Sequence, residues 1–293
     1  MRQLPEMGTS QAVGPAVGSW ARERISAMIS FLSAMPGLTL PILDAIAVIE
    51  ILGSRLDHRT AHLAFDADGT LWTGDVSDDV FLGACQDDWL LDAAKPGLIR
   101  EARRAGLPTC GSVSQLAFSL FEAHKQGAIA EVDLYALMAW CYAGRTLEEL
   151  QAYAVQVLTR QTLGSRIRPE IVQILEWARA RNVACYVVSA SPTPIVAWAA
   201  GKWGFSPAQV IGTMPETQND RIIPELADEV PFGANKCKLL KRRTGNSHWL
   251  GSFGDSEFDF ELLAGAKCAI AVNPKPKLLA RLSALSHAIV LQT

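Results

Sequence analysis

The sequence predicts an α/β protein: a Rossmann-like parallel sheet core, an inserted helical cap domain and an N-terminal helical extension. Three observations carry this. The short runs Leu63–Phe65, Val183–Val188, His248–Phe253, Cys268–Val272 and His287–Leu291 are almost uncharged, as strands buried on both faces are. From Pro169 onward such runs alternate with amphipathic helical patterns, which is the rhythm of βαβ units. Between Leu71 and Pro169 the periodicity is helical throughout, so a helical block is inserted after the first strand.

In chain order, the first segment is the uncharged stretch between Arg24 and Asp44. Its length approaches a membrane span, but Pro36-Gly37 and Pro41 break it and Ser26, Ser30, Ser33 and Thr39 dilute it. Ile25, Met28, Ile29, Leu32 and Met35 follow i, i+3, i+4, i+7 spacing, the mark of a one-sided helix. Gly37 suits its stop, and Pro41 suits the first turn of a second helix. Packed helices are the expectation, with membrane association or export through residues 25–43 as the alternative.

After the strand ending at Phe65, helical segments are predicted at Asp78–Ala94, Leu98–Ala105, Val113–Lys125, Asp133–Ala143 and Leu147–Leu163, punctuated by Gly and Pro. Then come helix Pro169–Arg181, the strand ending at Val188, helix Pro194–Trp203 and a Pro-rich loop or hairpin over 205–232. Helix Asn235–Arg243, strand His248–Phe253, helix Phe258–Gly265, strand Cys268–Val272, helix Pro276–Ala284 and strand His287–Leu291 complete the chain. The division is therefore 1–60 as the extension, 61–76 with 165–293 as the core, and 77–164 as the cap.

Composition narrows the class. The chain has 293 residues, 49% hydrophobic and 19% charged, enough for a full globular core. A net charge of -3 and the lack of a basic stripe with interleaved aromatics give no nucleic-acid footprint. Cysteines 85, 110, 141, 185, 237 and 268 form no C-x-x-C and read as buried thiols, consistent with a reducing, cytoplasmic setting.

The most informative stretch is Asp66-Ala67-Asp68-Gly69-Thr70. Two carboxylates two residues apart project to one side at the carboxyl end of a strand, where open α/β sheets bind ligands. Their repulsion needs a cation or a shared proton to relieve it, and the arrangement suggests Mg²⁺, which suits such oxygen donors. Three further elements follow in order: Ser189 at a strand end, Lys236 opening a helix, and Gly254-Asp255-Ser256-Glu257-Phe258-Asp259 at another strand end.

This order and spacing resemble the haloacid dehalogenase superfamily, most closely its phosphoserine phosphatase-like branch with a helical cap after the first motif. The resemblance spans 61–293 and implies a Mg²⁺-dependent phosphatase working through an aspartyl-phosphate. Asp66 would be the nucleophile and Asp68 the general acid and base; Asp66, Asp255 and the main-chain carbonyl of Asp68 would hold the metal, with Asp259 behind them. Ser189 and nearby amides would hold phosphoryl oxygens, and Lys236 would offset their charge, with Lys238 a competitor for that role.

Asp75, nine residues after Asp66, matches the family position that meets a substrate amine. Trp72 is placed to lie beside a quaternary ammonium, and Ala190 beside the substrate. The expected substrate is thus a small phosphorylated metabolite with an amino or choline head group. The family's substrate-binding Arg has no placeable counterpart in the sequence, although Arg100, Arg103, Arg104 and Arg145 are available. Ala190-Ser191-Pro192 stands where phosphoserine phosphatases commonly carry Gly-Gly. The alternatives are a phosphosugar mutase or other phosphotransferase, and a non-catalytic binding protein on the same fold; a homodimer through the N-terminal helices is the partner expectation.

Overall fold

The computed structural model describes residues 40–57, 60–245 and 247–293; the predicted helix over 25–35 and the dimer it would form lie outside them. At the centre is a seven-stranded sheet in the order β1-β9-β8-β7-β2-β3-β4, every neighbouring pair parallel. Its strands are β1 (Ile42–Leu43), β2 (Ala61–Phe65), β3 (Ala184–Pro192), β4 (Val210–Thr213), β7 (His248–Gly254), β8 (Cys268–Val272) and β9 (Ala288–Leu291). All residues of β2, β8 and β9 are buried, which is why these runs carry no polar alternation. Phe65 stacks on Phe253 at 4.4 Å between ring centres, locking β2 to β7 in the register Phe65 opposite Phe253.

From β2 the chain moves outward through β3 and β4 on one side, then returns to place β7, β8 and β9 on the other. The carboxyl ends of β2 and β7 therefore flank the point where strand order reverses, the crevice in which open α/β sheets bind ligands. Five helices leave β2 as one block: α2 (Val76–Gln86), α3 (Lys95–Arg104), α4 (Val113–Lys125), α5 (Glu131–Trp140) and α6 (Leu147–Arg160). Capping boxes at Ser112/Gln115 and Thr146/Glu149 start α4 and α6 where the sequence expected them.

Several boundaries moved. The helix expected over Asp78–Ala94 stops at Gln86, because Asp88 adopts a left-handed φ of 48° and Trp89 N–H closes back onto Ala84 O. Pro41 does not open a second helix: Ile42–Leu43 pairs in parallel with β9, and helix α1 (Ala45–Arg55) begins after Asp44, whose carboxylate accepts the Ala47 amide. Residues 42–55, read as part of the extension, thus supply an edge strand and a helix with buried Val48, Ile51 and Leu52. Strand β3 continues past Ser189 to Pro192, and the Pro-rich stretch yields β4 plus the antiparallel hairpin β5–β6 (Pro215–Gln218 and Arg221–Leu226). Asn219 and Asp220, both at positive φ, make its two-residue turn. No helix among the described residues is long and apolar enough to cross a membrane. The described cysteines are free thiols, Cys110 exposed and Cys141, Cys185 and Cys268 buried.

Candidate active site

Asp66 leaves β2 with its amide bonded to Phe253 O, so the strand pairing itself aims its carboxyl at the crevice. One oxygen accepts from Lys236 Nζ at 2.6 Å and the other from Thr70 Oγ1 at 3.1 Å. Burial, reinforced by Asp259 and relieved by Lys236, raises this carboxyl to about 7, with Asp255 adding to the rise.

Lys236 comes from helix α7 (Ala234–Thr244) and is 3% exposed. Its ammonium also meets Asp259 Oδ1 at 2.5 Å. Burial opposes its charge, but Asp259 and Asp66 outweigh that and hold it above the ordinary lysine range. Lys238, two positions on, faces away and pairs with Glu229 at 2.7 Å.

Asp255 follows β7, and its carboxylate lies against Gly69: a Cβ there would come 2.2 Å from Asp255 Oδ2. Glycine at 69, at φ +82°, is therefore what lets the Asp68–Gly69 backbone approach the carboxylate. Lys275 Nζ meets the same oxygen at 3.0 Å. Burial raises the Asp255 carboxyl, with Lys275 opposing.

Oxygens of Asp66, Asp255 and Asp259 lie within 4.8 Å of one another, a buried cluster that could hold a divalent cation. The donors fit unequally. Asp259 accepts from Lys236 on one oxygen and, on the other, from the Asp255 amide and the Ser256 amide and hydroxyl at 3.0–3.1 Å. It braces the loop, while Asp66 and Asp255 remain the oxygen donors facing the cavity.

Asp68 is gripped by three donors. Trp72 Nε1 and the Val76 amide each reach Oδ1 at 2.8 Å, and Ser191 Oγ reaches Oδ2 at 2.6 Å. Burial, then the charge of Asp75, pushes its carboxyl well above the usual range, against the hydrogen bonds from Ser191 and Val76.

Above these groups opens a cavity of about 670 Å³. Ser189 and Ala190 line its base; Ser189 is buried and its Oγ accepts the Ser191 amide at 3.1 Å. Asp75 stands at the entrance to the cap, the cap contributes Asp78, Glu131 and Tyr135, and the core adds Phe232 and Phe258, whose rings pack 4.2 Å apart.

Two expectations change here. Trp72 is fully buried, stacked on Trp203 at 5.5 Å, and lies outside the cavity lining, so it orients Asp68 and does not face a substrate cation. Asp75 does line the cavity, but it is also the N-cap of α2, accepting from the Ser77 and Asp78 amides, the Ser77 hydroxyl and Tyr135 OH. None of Arg100, Arg103, Arg104 and Arg145 lines the cavity; Arg145 instead lies over the Trp89 ring, 4.3 Å from its centre.

Sequence reasoning missed Lys275, Ser191, Asp78, Glu131 and Tyr135. Lys275 had a usable signal, since it follows β8 at the same carboxyl edge of the sheet as Asp66 and Asp255. The cap residues had none, because their approach depends on how α2, α4 and α5 fold over the core.

Fold and site together define an α/β enzyme with a buried acidic centre beneath a helical cap. The chain belongs to the haloacid dehalogenase-like hydrolases, which it matches over residues 63–264. No protein of curated function matches the sequence. Among solved structures it is similar to a protein of unknown function from Bordetella pertussis Tohama I, at 20% identity and TM-score 0.61, over 80% of this chain and 98% of that one. A functionally unknown protein from Anaerococcus prevotii DSM 20548 matches at 14% identity and TM-score 0.62, over 85% and 92%. A probable phosphoserine phosphatase from Vibrio cholerae matches at 15% identity and TM-score 0.50, over 79% and 60%. At these identities the likeness concerns the fold.

Proposed function

We propose that the protein is a Mg²⁺-dependent phosphomonoester hydrolase that acts through an aspartyl-phosphate on a small phosphorylated metabolite. The observation that carries this reading is the contrast between two neighbouring carboxyls. Asp66 faces the Lys236 ammonium at 2.6 Å, whereas Asp68 has only neutral donors for partners. A nucleophile whose ionised form is favoured by a buried ammonium, beside a carboxyl inclined to keep its proton, is what a two-step hydrolysis requires.

In the first step an Asp66 oxygen bonds to phosphorus, the ester P–O bond breaks, and Asp68 gives its proton to the leaving oxygen. In the second, water attacks the acyl phosphate, Asp68 takes the water's proton, and phosphate leaves with Asp66 restored. Ser189 and neighbouring amides hold the phosphoryl oxygens, while Lys236 offsets charge on Asp66. Asp66, Asp255 and the Asp68 carbonyl would hold Mg²⁺, which when bound would neutralise charge on the transferring phosphoryl group. Asp259 fixes Lys236 and the Asp255 loop from behind.

The finer reading is a cationic head group. Asp75, Asp78 and Glu131 line the cavity together with the rings of Tyr135, Phe232 and Phe258. Carboxylates and ring faces both attract ammonium groups. The cavity's own cations are engaged: Lys236 with Asp66, Lys275 with Asp255, and Lys125 with Glu122 at 3.0 Å. A panel of phosphomonoesters assayed with Mg²⁺ tests the whole reading, with turnover expected to vanish under EDTA and return with Mg²⁺. Choline and ethanolamine phosphates should give a higher kcat/KM than neutral or carboxylate-bearing esters. Full activity after thorough chelation overturns the metal assignment, and indifference to head-group charge overturns the cationic one.

A further inference from the structure

We infer that Ser191 and Ser77 are positioning residues that fix the Asp68 carboxyl for proton transfer and tie it to the cap. This rests on the reading of Asp68 as proton donor. Both hydroxyls are completely buried, in positions where Ala would fill the space with no polar group to satisfy. Ser191 Oγ meets Asp68 Oδ2 at 2.6 Å and Ser77 Oγ at 3.1 Å; Ser77 Oγ in turn donates to Asp75 Oδ1 at 2.5 Å. Asp75 Oδ2 accepts from Tyr135 OH at 3.1 Å, and Tyr135 belongs to cap helix α5. A continuous chain of contacts thus runs from the catalytic carboxyl, through one residue of the core sheet and one at the cap entrance, to the wall of the cap. It is hydrogen-bonded throughout when Asp68 Oδ2 carries its proton and donates to Ser191 Oγ, whose own hydroxyl then donates to Ser77.

The other side of Asp68 is held by groups that do not reach the cap's far wall. Trp72 is pinned by its stack on Trp203, and the Val76 amide opens α2. With Oδ1 clamped by these two, the torsion of the carboxyl is set by whatever holds Oδ2, which is Ser191. Ser191 owes its place to the end of β3, where the pairing with β4 shifts between Val188 and Pro192 and Thr213 Oγ1 caps Ala190 O at 2.5 Å. The irregular strand end is what turns this hydroxyl toward Asp68. Misplacing a proton donor by a fraction of an ångström costs rate without weakening substrate binding.

The test is Ser191→Ala, Ser191→Cys and Ser77→Ala, assayed over phosphomonoesters whose leaving groups run from p-nitrophenol to simple alcohols. Ser191→Ala should lose about tenfold in kcat on alkyl esters but only about twofold on the aryl ester, with KM little changed, because only poor leaving groups need the proton. Ser191→Cys, close in shape but a weak donor, should fall between, and Ser77→Ala should show the same pattern more weakly. Adding Ser77→Ala to Ser191→Ala should cost little more, since both break one chain. Amide hydrogen exchange at Val76, which bonds to Asp68 Oδ1, supplies a readout free of turnover and should quicken in Ser191→Ala with the circular dichroism spectrum unchanged. Equal kcat losses across the series with unaltered Val76 exchange overturn the inference. Faster Val76 exchange in a protein whose wild type hydrolyses no phosphomonoester would support the hydrogen-bonded chain while refuting the phosphatase reading.

Discussion

The two ends of the cavity are both rich in carboxylates, yet they are wired differently. At the sheet end Asp66 and Asp259 share Lys236 and Asp255 meets Lys275, while Asp68 is held by neutral donors alone. At the cap end Asp78 and Glu131 form no ion pair with any described residue, while their neighbour Asp79 is paired with Arg166 at 2.5 Å. Burial, then Asp75, Asp79 and Glu131, lifts the Asp78 carboxyl to about 7, and burial also lifts that of Glu131. At the sheet end two ammonium groups, that of Lys236 buried, stand among the acids, as suits a reacting centre. Charge at the cap end awaits a positive group, as suits selection. On the proposed function, the difference assigns the chemistry to the core and the choice of substrate to the inserted cap.

The largest expected effect breaks the sheet end. Asp66→Asn should lower kcat by at least about 10³-fold on every ester, because a carboxamide neither attacks phosphorus nor holds a metal well. Steady-state assays on purified variant check this, and retention of a tenth of the wild-type rate would refute covalent catalysis by Asp66.

Next in size is Lys236→Met, which leaves Asp66 and Asp259 buried without their shared cation. It should destabilise the fold by about 3–5 kcal/mol, the usual cost of removing one partner from a buried ion pair. Urea unfolding measures it, and a loss no greater than that of an exposed control such as Lys238→Met would show the pair to be unimportant for stability. Lys238 and Glu229 are half exposed, so that control should fall below about 1 kcal/mol.

The smallest effect sharpens the cap end. Asp78→Asn should raise KM severalfold for cationic esters and leave neutral ones unchanged, since the gain comes from one partly desolvated charge. The pH dependence has a definite sign. Asp78 titrates near 7, so it is charged only above that value, and KM for cationic esters should fall as pH rises through about 7. Asp78→Asn should flatten that profile. The same shift has a stability consequence: between the ordinary value of 3.8 and about 7 the folded state binds the extra proton, so folding stability declines as pH rises across that window. A KM profile identical for cationic and neutral esters would leave Asp78 only the role of an acid in the first turn of α2, where the helix dipole favours it.

How much of this was legible beforehand differs by residue. Asp66 and Asp68 declare themselves because strand geometry puts alternate residues on one side, and both sit just past a fully apolar run. Asp255 and Ser189 were legible for the same reason, at or near the ends of other strands of one parallel sheet. The choice between Lys236 and Lys238 was not. Two residues along a helix turn the side chain by about 200°, so only one can face the site, and helix periodicity alone does not say which. Trp72 was misjudged because an indole beside a reactive loop serves equally as a ring face for a cation or as a hydrogen-bond donor; its stack on Trp203, 131 positions away, decides.

By itself, then, the sequence determined the alternation of strands and helices, the end of the sheet that carries the acids, and the insertion of a helical block between β2 and β3. These follow from local periodicity and from the need of every uncharged strand to be covered on both faces. The tertiary structure alone decided which cation neutralises Asp66, that residues 42–43 close the sheet edge, and that Ser191 and Ser77 bridge Asp68 to the cap. Each of these is a contact between segments far apart in the chain. Such contacts are set by the packing of whole elements, and the residues that make them carry no local mark of their eventual partner.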